Sequence, residues 1–124
     1  MILAIDNGKH SGYAYRTRTK PARWVCGEVN GRDQSQMQVT VWGAKVAGCT
    51  HVVVEDAFCG PNVKTYGDLR EGAKAWEMVA ASAGMVVMPR VMPRTWQSAI
   101  LNVMGAACPP GETKRWSVWV ARSL

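Results

Sequence analysis

At 124 residues the chain is sized for one domain, 1–124, able to bury a core that needs no disulfide or metal to hold it. Its four cysteines, Cys26, Cys49, Cys59 and Cys108, form no CxxC pair, which argues against a zinc site and for reduced, mostly buried thiols. The net charge of +6, from 15 Lys and Arg against 9 acids, suits a polyanionic partner. The apolar opening run ends at Asp6, too short for a signal peptide, and no stretch approaches the roughly 20 apolar residues of a membrane span, so a cytoplasmic protein is expected.

The elements follow in chain order. Ile2 to Ile5 reads as a buried strand that gives way at Asp6 to a turn marked by Gly8 and Gly12. The stretches Gly12 to Thr19 and Arg23 to Val29 alternate and predict a hairpin that turns around Lys20 and Pro21. The period then lengthens. Asp33 or Ser35 can cap a helix with Met37, Val41 and Ala44 on one face and Gly48 at its end. Val52 to Val54 is a β-branched run of the kind found in strands covered on both faces, and its polarity changes abruptly at Glu55. A long helix is predicted from about Asp68 to Ala83, with an acid in its first turn, Leu69, Ala73, Trp76, Ala80 and Ala83 on one stripe, and Gly84 closing it.

Met85 to Met88 predicts a short buried strand stopped by Pro89. A brief helix follows Pro93, and a last helix starts at Glu112 and Thr113 with Trp116, Trp119 and Val120 on its apolar side. Trp42, Trp76, Trp116 and Trp119 are expected in the core or a dimer interface, and Met85, Met88 and Met92 as core fillers. The order is an α/β fold with a five-stranded mixed sheet flanked by helices.

This order carries a chemical consequence. If the strands ending at Asp6 and Glu55 are parallel neighbours, both carboxylates emerge at one carboxyl edge, where such sheets place their sites. Two adjacent carboxylates raise each other's pKa unless a cation sits between them. Hard oxygen donors with few histidines suit Mg²⁺ or Mn²⁺, which leave coordination positions for water and phosphate. With the basic surplus, that points toward hydrolysis of phosphodiesters. Lys9, Lys64, Arg70 and Lys74 are candidates for phosphate contacts, and Phe58 either stacks on an unpaired base or joins the core. Asp6 also suits a turn-capping role, Asp56 and Glu112 are alternative third ligands, and His10 and His51 read as structural.

The segments ILAIDNGKHSGYAY, VVVEDAF and LREGAKAWEMVA, followed by MPRTWQSAIL and TKRWSVWVARSL, resemble in order the ribonuclease-H-like RuvC family of Holliday junction resolvases. The resemblance implies strand order 3-2-1-4-5 and a homodimeric, Mg²⁺-dependent endonuclease that cuts branched DNA. It places the family's first-strand Asp on Asp6 and its fourth-strand Glu on Glu55. Asn7 stands where the family often has Pro, a change between two turn formers. The family's metal site is completed by a pair of acids on a final helix, beyond the point where this sequence stops at Leu124. A fragment with weak metal affinity and little cleavage is therefore expected. A non-cleaving branched-DNA-binding protein is the alternative, and DNGKHSGYAY also resembles the phosphate loop of actin and sugar-kinase ATP-binding domains.

Overall fold

Alternation along the opening run builds the centre of the molecule. In the computed structural model, which describes residues 1–18, 20–57, 62–92 and 95, strand β1 (Ile2–Asp6) buries Leu3 and Ile5 and turns Ile2, Ala4 and Asp6 outward. A three-residue turn leads into β2 (His10–Arg16), which pairs antiparallel with β1 and with β3 (Trp24–Asn30). The hairpin strands begin and end away from the sequence-based bounds because His10 and Ser11 already find partners in Asn30 and Val29. Past Arg16, Thr17 donates to the Arg23 carbonyl and closes the turn.

Helix α1 (Gln34–Val46) starts where Asp33 accepts from the amides of Ser35 and Gln36, and it is left through Gly48 at φ +107°. Strand β4 (His51–Val54) then returns to the sheet beside β1, in parallel. Helix α2 (Val63–Ser82) begins five residues before the expected Asp68, because the Asn62 side chain accepts from the Thr65 amide and supplies the cap. With that start its first turn holds no acid, contrary to expectation. Gly84 at φ +83° ends the turn that follows, and β5 (Val86–Val87) pairs in parallel with β4.

The sheet order is β3-β2-β1-β4-β5, a mixed five-stranded sheet of ribonuclease-H-like topology. Both described helices pack on the face that carries Leu3, Ile5, Tyr15, Val52 and Val54. Met37, Val41 and Ala44 come down from α1, and Ala73, Trp76 and Ala80 from α2. Ala73 and Ala80 flank the indole of Trp76, so small residues bring the helix backbone close enough for the ring to be fully buried. Residues Met1–Val91 form one compact unit. Among the described residues no helix is long and apolar enough to cross a membrane.

Several sequence-based expectations change. Of the two placements expected for Trp42, the core is excluded: it is 52% exposed, because the buried stripe of α1 runs through residues 37, 41 and 44 and leaves position 42 outside it; the Lys45 ammonium lies 4.8 Å from its ring centroid. Val86 and Val87 are exposed as the end strand of the sheet, and Met92 is exposed while Met85 is buried. Cys49 is buried as expected, but Cys26 is exposed on the end strand β3. Phe58, Cys59, Cys108, Glu112, Trp116, Trp119 and the two helices expected after Pro93 lie outside the described residues.

Candidate functional site

Register decides whether the two acids meet. Leu3 pairs with Val52 and Ile5 with Val54 across the parallel β1–β4 ladder, and all four side chains point to the helices. Side chains alternate along a strand, so the next residue in each, Asp6 and Glu55, points to the opposite face. The Glu55 amide donates to the Ile5 carbonyl at 2.9 Å, which extends the ladder to this level. Asp6 and Glu55 thus occupy equivalent positions at the carboxyl ends of adjacent strands, on the same face, with backbones about 4.8 Å apart.

Glu55 is also held from its other side. It bridges in parallel to Val91, the Val91 amide donates to Val54 at 3.3 Å, and the Asp56 amide donates to Val91 at 2.8 Å. The carboxyl group of Asp6 is pushed above its ordinary value by burial, although its surface still reaches solvent. Its partner across the antiparallel ladder is Gly12, where a Cβ would stand 3.7 Å from that of Asp6. With no side chain at that position, space is left beside the carboxylate.

The turn that follows Asp6 is clamped by three elements. Asn7 donates through Nδ2 to the Leu69 carbonyl on α2 at 2.5 Å, and Gly72 permits the approach, since a Cβ there would lie 2.7 Å from Asn7 Oδ1. The buried Ser11 hydroxyl donates to the Gly8 carbonyl at 2.8 Å and accepts from Trp76 Nε1 at 3.1 Å. Gly31 closes the other side: its amide donates to the Lys9 carbonyl at 2.9 Å, and a Cβ on it would overlap the Gly8 carbonyl and the Ser11 hydroxyl. Sequence reasoning missed this clamp. Its only sequence signals are a serine inside a strand and a glycine after a strand end.

A second missed cluster lies beside Glu55. Arg90 donates to Glu77 Oε1 through Nη2 at 2.6 Å and through Nε at 3.1 Å, and its Nη1 lies 3.8 Å from Asp56 Oδ1. The guanidinium is thereby held even more firmly in its charged form, chiefly by the hydrogen bond to Glu77. Asp56 also accepts from the Ala57 amide. Its carboxylate is therefore engaged in tying the end of β4 to α2, which argues against its use as a third ligand. Glu112, the other alternative, lies outside the described residues, as does Phe58.

The structure brings Asp6 and Glu55 together, with Lys9 exposed in the adjoining turn. Lys64, Arg70 and Lys74 are exposed along α2, and the Arg70 guanidinium sits 5.6 Å from the Tyr66 ring centroid. His10 lies 3.4 Å from Glu28 across the hairpin, and His51 Nδ1 lies 2.7 Å from the Thr50 hydroxyl. Among the described residues no group of three or more His, Cys, Asp or Glu side chains could hold a metal ion. The arrangement is two acids at one sheet edge, with no side chain at Gly12 beside Asp6.

No protein-family model matches the chain, and no curated protein sequence matches it. Among solved structures, the chain is similar to Thermus thermophilus RuvC in complex with a Holliday junction substrate, with TM-score 0.60, 14% identity and coverage of 91% of this chain and 85% of that one. It is also similar to T. thermophilus RuvC alone, with TM-score 0.55, 15% identity and coverage of 91% and 87%. The yeast mitochondrial Holliday junction resolvase Ydc2 aligns with TM-score 0.48 at 12% identity, over 82% of this chain and 54% of that one. At these identities the likeness is one of fold.

Proposed function

We propose that this protein is a structure-specific DNA endonuclease of the Holliday junction resolvase type, acting on branched DNA with Mg²⁺ or Mn²⁺. The observation that carries this reading is the equivalent placement of Asp6 and Glu55 on adjacent parallel strand ends, on one face. The fold shared with a RuvC that binds a Holliday junction substrate supports the choice of substrate. The donor set fits the metal. Two carboxylates are what Mg²⁺ takes from a protein when it keeps waters and a phosphate, and a desolvated Asp6 carboxyl gains from a cation beside it. Asp6 and Glu55 would hold the ion, which when bound supplies a polarised phosphate and a more acidic water.

The remaining work falls to side chains of the chain itself. The Asn7 and Ser11 hydrogen bonds fix the turn after Asp6, so that its carboxylate keeps one position without being pulled into a local cap. Gly12 leaves the flank of Asp6 clear for a phosphate to approach. Lys9, Lys64, Arg70 and Lys74 would supply sequence-independent attraction for the backbone, strongly dependent on salt. The expected homodimer would form through α2, where Val63 and Met78 stand exposed.

A second reading, a junction-binding protein that does not cut, is favoured by one observation: the described residues supply two acids to the site and no third. A labelled four-way junction incubated with the protein and Mg²⁺ separates the two. Nicks near the branch point that vanish in Asp6→Asn and Glu55→Gln establish the nuclease. Retention of the junction in a gel without nicking establishes binding alone, and no preference for junction over duplex sinks both.

A further inference from the structure

The β2–β3 hairpin leaves the sheet at the end opposite the acid pair. Asp6 pairs with Gly12, and Arg16 lies four residues further along β2, paired with Trp24. From Arg16 to Arg23 the chain holds Arg16, Arg18, Lys20 and Arg23, and no acid occurs between Asp6 and Glu28. All four cations are exposed, and none forms an ion pair among the described residues. Trp24, beside Arg16, is 62% exposed.

Not all of this charge is unspoken for. The Arg18 side chain lies over Gly48, just past the carboxyl end of α1, where a cation compensates the helix dipole. Lys45 serves the same end of α2 through the Ala83 carbonyl. Arg16, Lys20 and Arg23 have no such local task. Three cations without an ion pair among the described residues share this end of the hairpin with an exposed indole, a set that fits a phosphate backbone, with the flat ring available to a sugar or base edge.

We propose that the tip of this hairpin, through Arg16, Lys20, Arg23 and Trp24, is a second DNA contact that grips an arm of the substrate away from the cleavage point. The proposal rests on the nuclease reading for the position of that cleavage point. At about 3.3 Å per residue, Arg16 lies roughly 13 Å beyond the level of Asp6, and Lys20 up to about 26 Å. At about 3.4 Å per base pair the contact falls roughly four to eight base pairs from the scissile phosphate.

The test is fluorescence anisotropy on the full chain with four-way junctions carrying long arms of 15 base pairs, or the same arms neutralised by methylphosphonates from four to eight base pairs out, across a salt series. On long arms the Arg16→Gln/Lys20→Gln/Arg23→Gln variant is expected to flatten the slope of log affinity against log salt by about 2 to 3, near 0.9 per lost phosphate contact. On the neutralised arms wild type and variant are expected to coincide. Arg16→Lys/Arg23→Lys keeps the charge and is expected to keep the slope, and Lys20→Gln alone to lose about 0.9 of it. An unchanged slope on long arms overturns the hairpin contact while leaving the nuclease reading in place. Loss of slope on plain duplex by a protein without junction preference sinks the nuclease reading but keeps the hairpin contact. A protein that binds no DNA ends both.

Discussion

Asp6 carries an electrostatic cost that a metal would remove. Its carboxyl titrates above the ordinary 3.8 because burial disfavours the charge, so the unfolded chain ionises first as pH rises. The protonated form therefore contributes stability below about pH 3.8, and that contribution is lost as pH climbs through the raised native value. Asp6→Asn removes the charge. In thermal melts without divalent metal, its Tm is expected to equal wild type below pH 3.8 and to exceed it at neutral pH. Addition of Mg²⁺ is expected to raise the wild-type Tm and leave Asp6→Asn unmoved; a wild type indifferent to Mg²⁺ would count against the metal reading.

At the scale of elements, the clamp on the Asn7–Lys9 turn predicts a ranking. Gly31→Ala drives a methyl into the Gly8 carbonyl and the Ser11 hydroxyl, neither of which can retreat without breaking the turn, and is expected to cost about 3 kcal/mol or more in urea unfolding. Gly72→Ala meets only the end of the Asn7 side chain, so a loss of about 1 kcal/mol is expected, with the Leu69 hydrogen bond given up. Trp76→Phe keeps most of the apolar bulk but strips Ser11 of its indole donor, for about 1–3 kcal/mol. If Gly72→Ala proves the more damaging glycine substitution, the clamp is wrongly described.

These elements also show what the sequence could and could not disclose. Period-2 and period-3.6 patterns, a cap at Asp33 and terminating glycines at 48 and 84 made the strand and helix order legible, and an acid at the end of each of two apolar runs made the neighbouring placement of Asp6 and Glu55 legible. The start of α2 was not, because a capping asparagine looks the same as one in a loop. The clamp and the Arg90 cluster were hidden for a different reason. Ser11 and Trp76 are 65 residues apart, and Asn7 and Leu69 are 62 apart, so only the closed sheet brings them within hydrogen-bond reach.

For the whole molecule, the sheet order ranks its parts by stability. β1 is paired on both edges and packed under both helices, while β5 has two residues and a single described neighbour. Native-state hydrogen exchange is expected to find the amides of Leu3, Ile5 and Val53 slowest and that of Val86 among the fastest. Equal protection across the sheet would contradict this order.

The period-2 rule that places Asp6 beside Glu55 also limits how the gene can vary in length. A single codon inserted or deleted within Ile2–Asp6 would rotate the acid to the side occupied by α1 and α2 and bring an apolar neighbour outward in its place. Length changes of two codons would preserve its side while moving it out of step with residue 55. Point substitution is tolerable at the outward-facing Ile2 and Ala4, but insertion and deletion are closed to this strand.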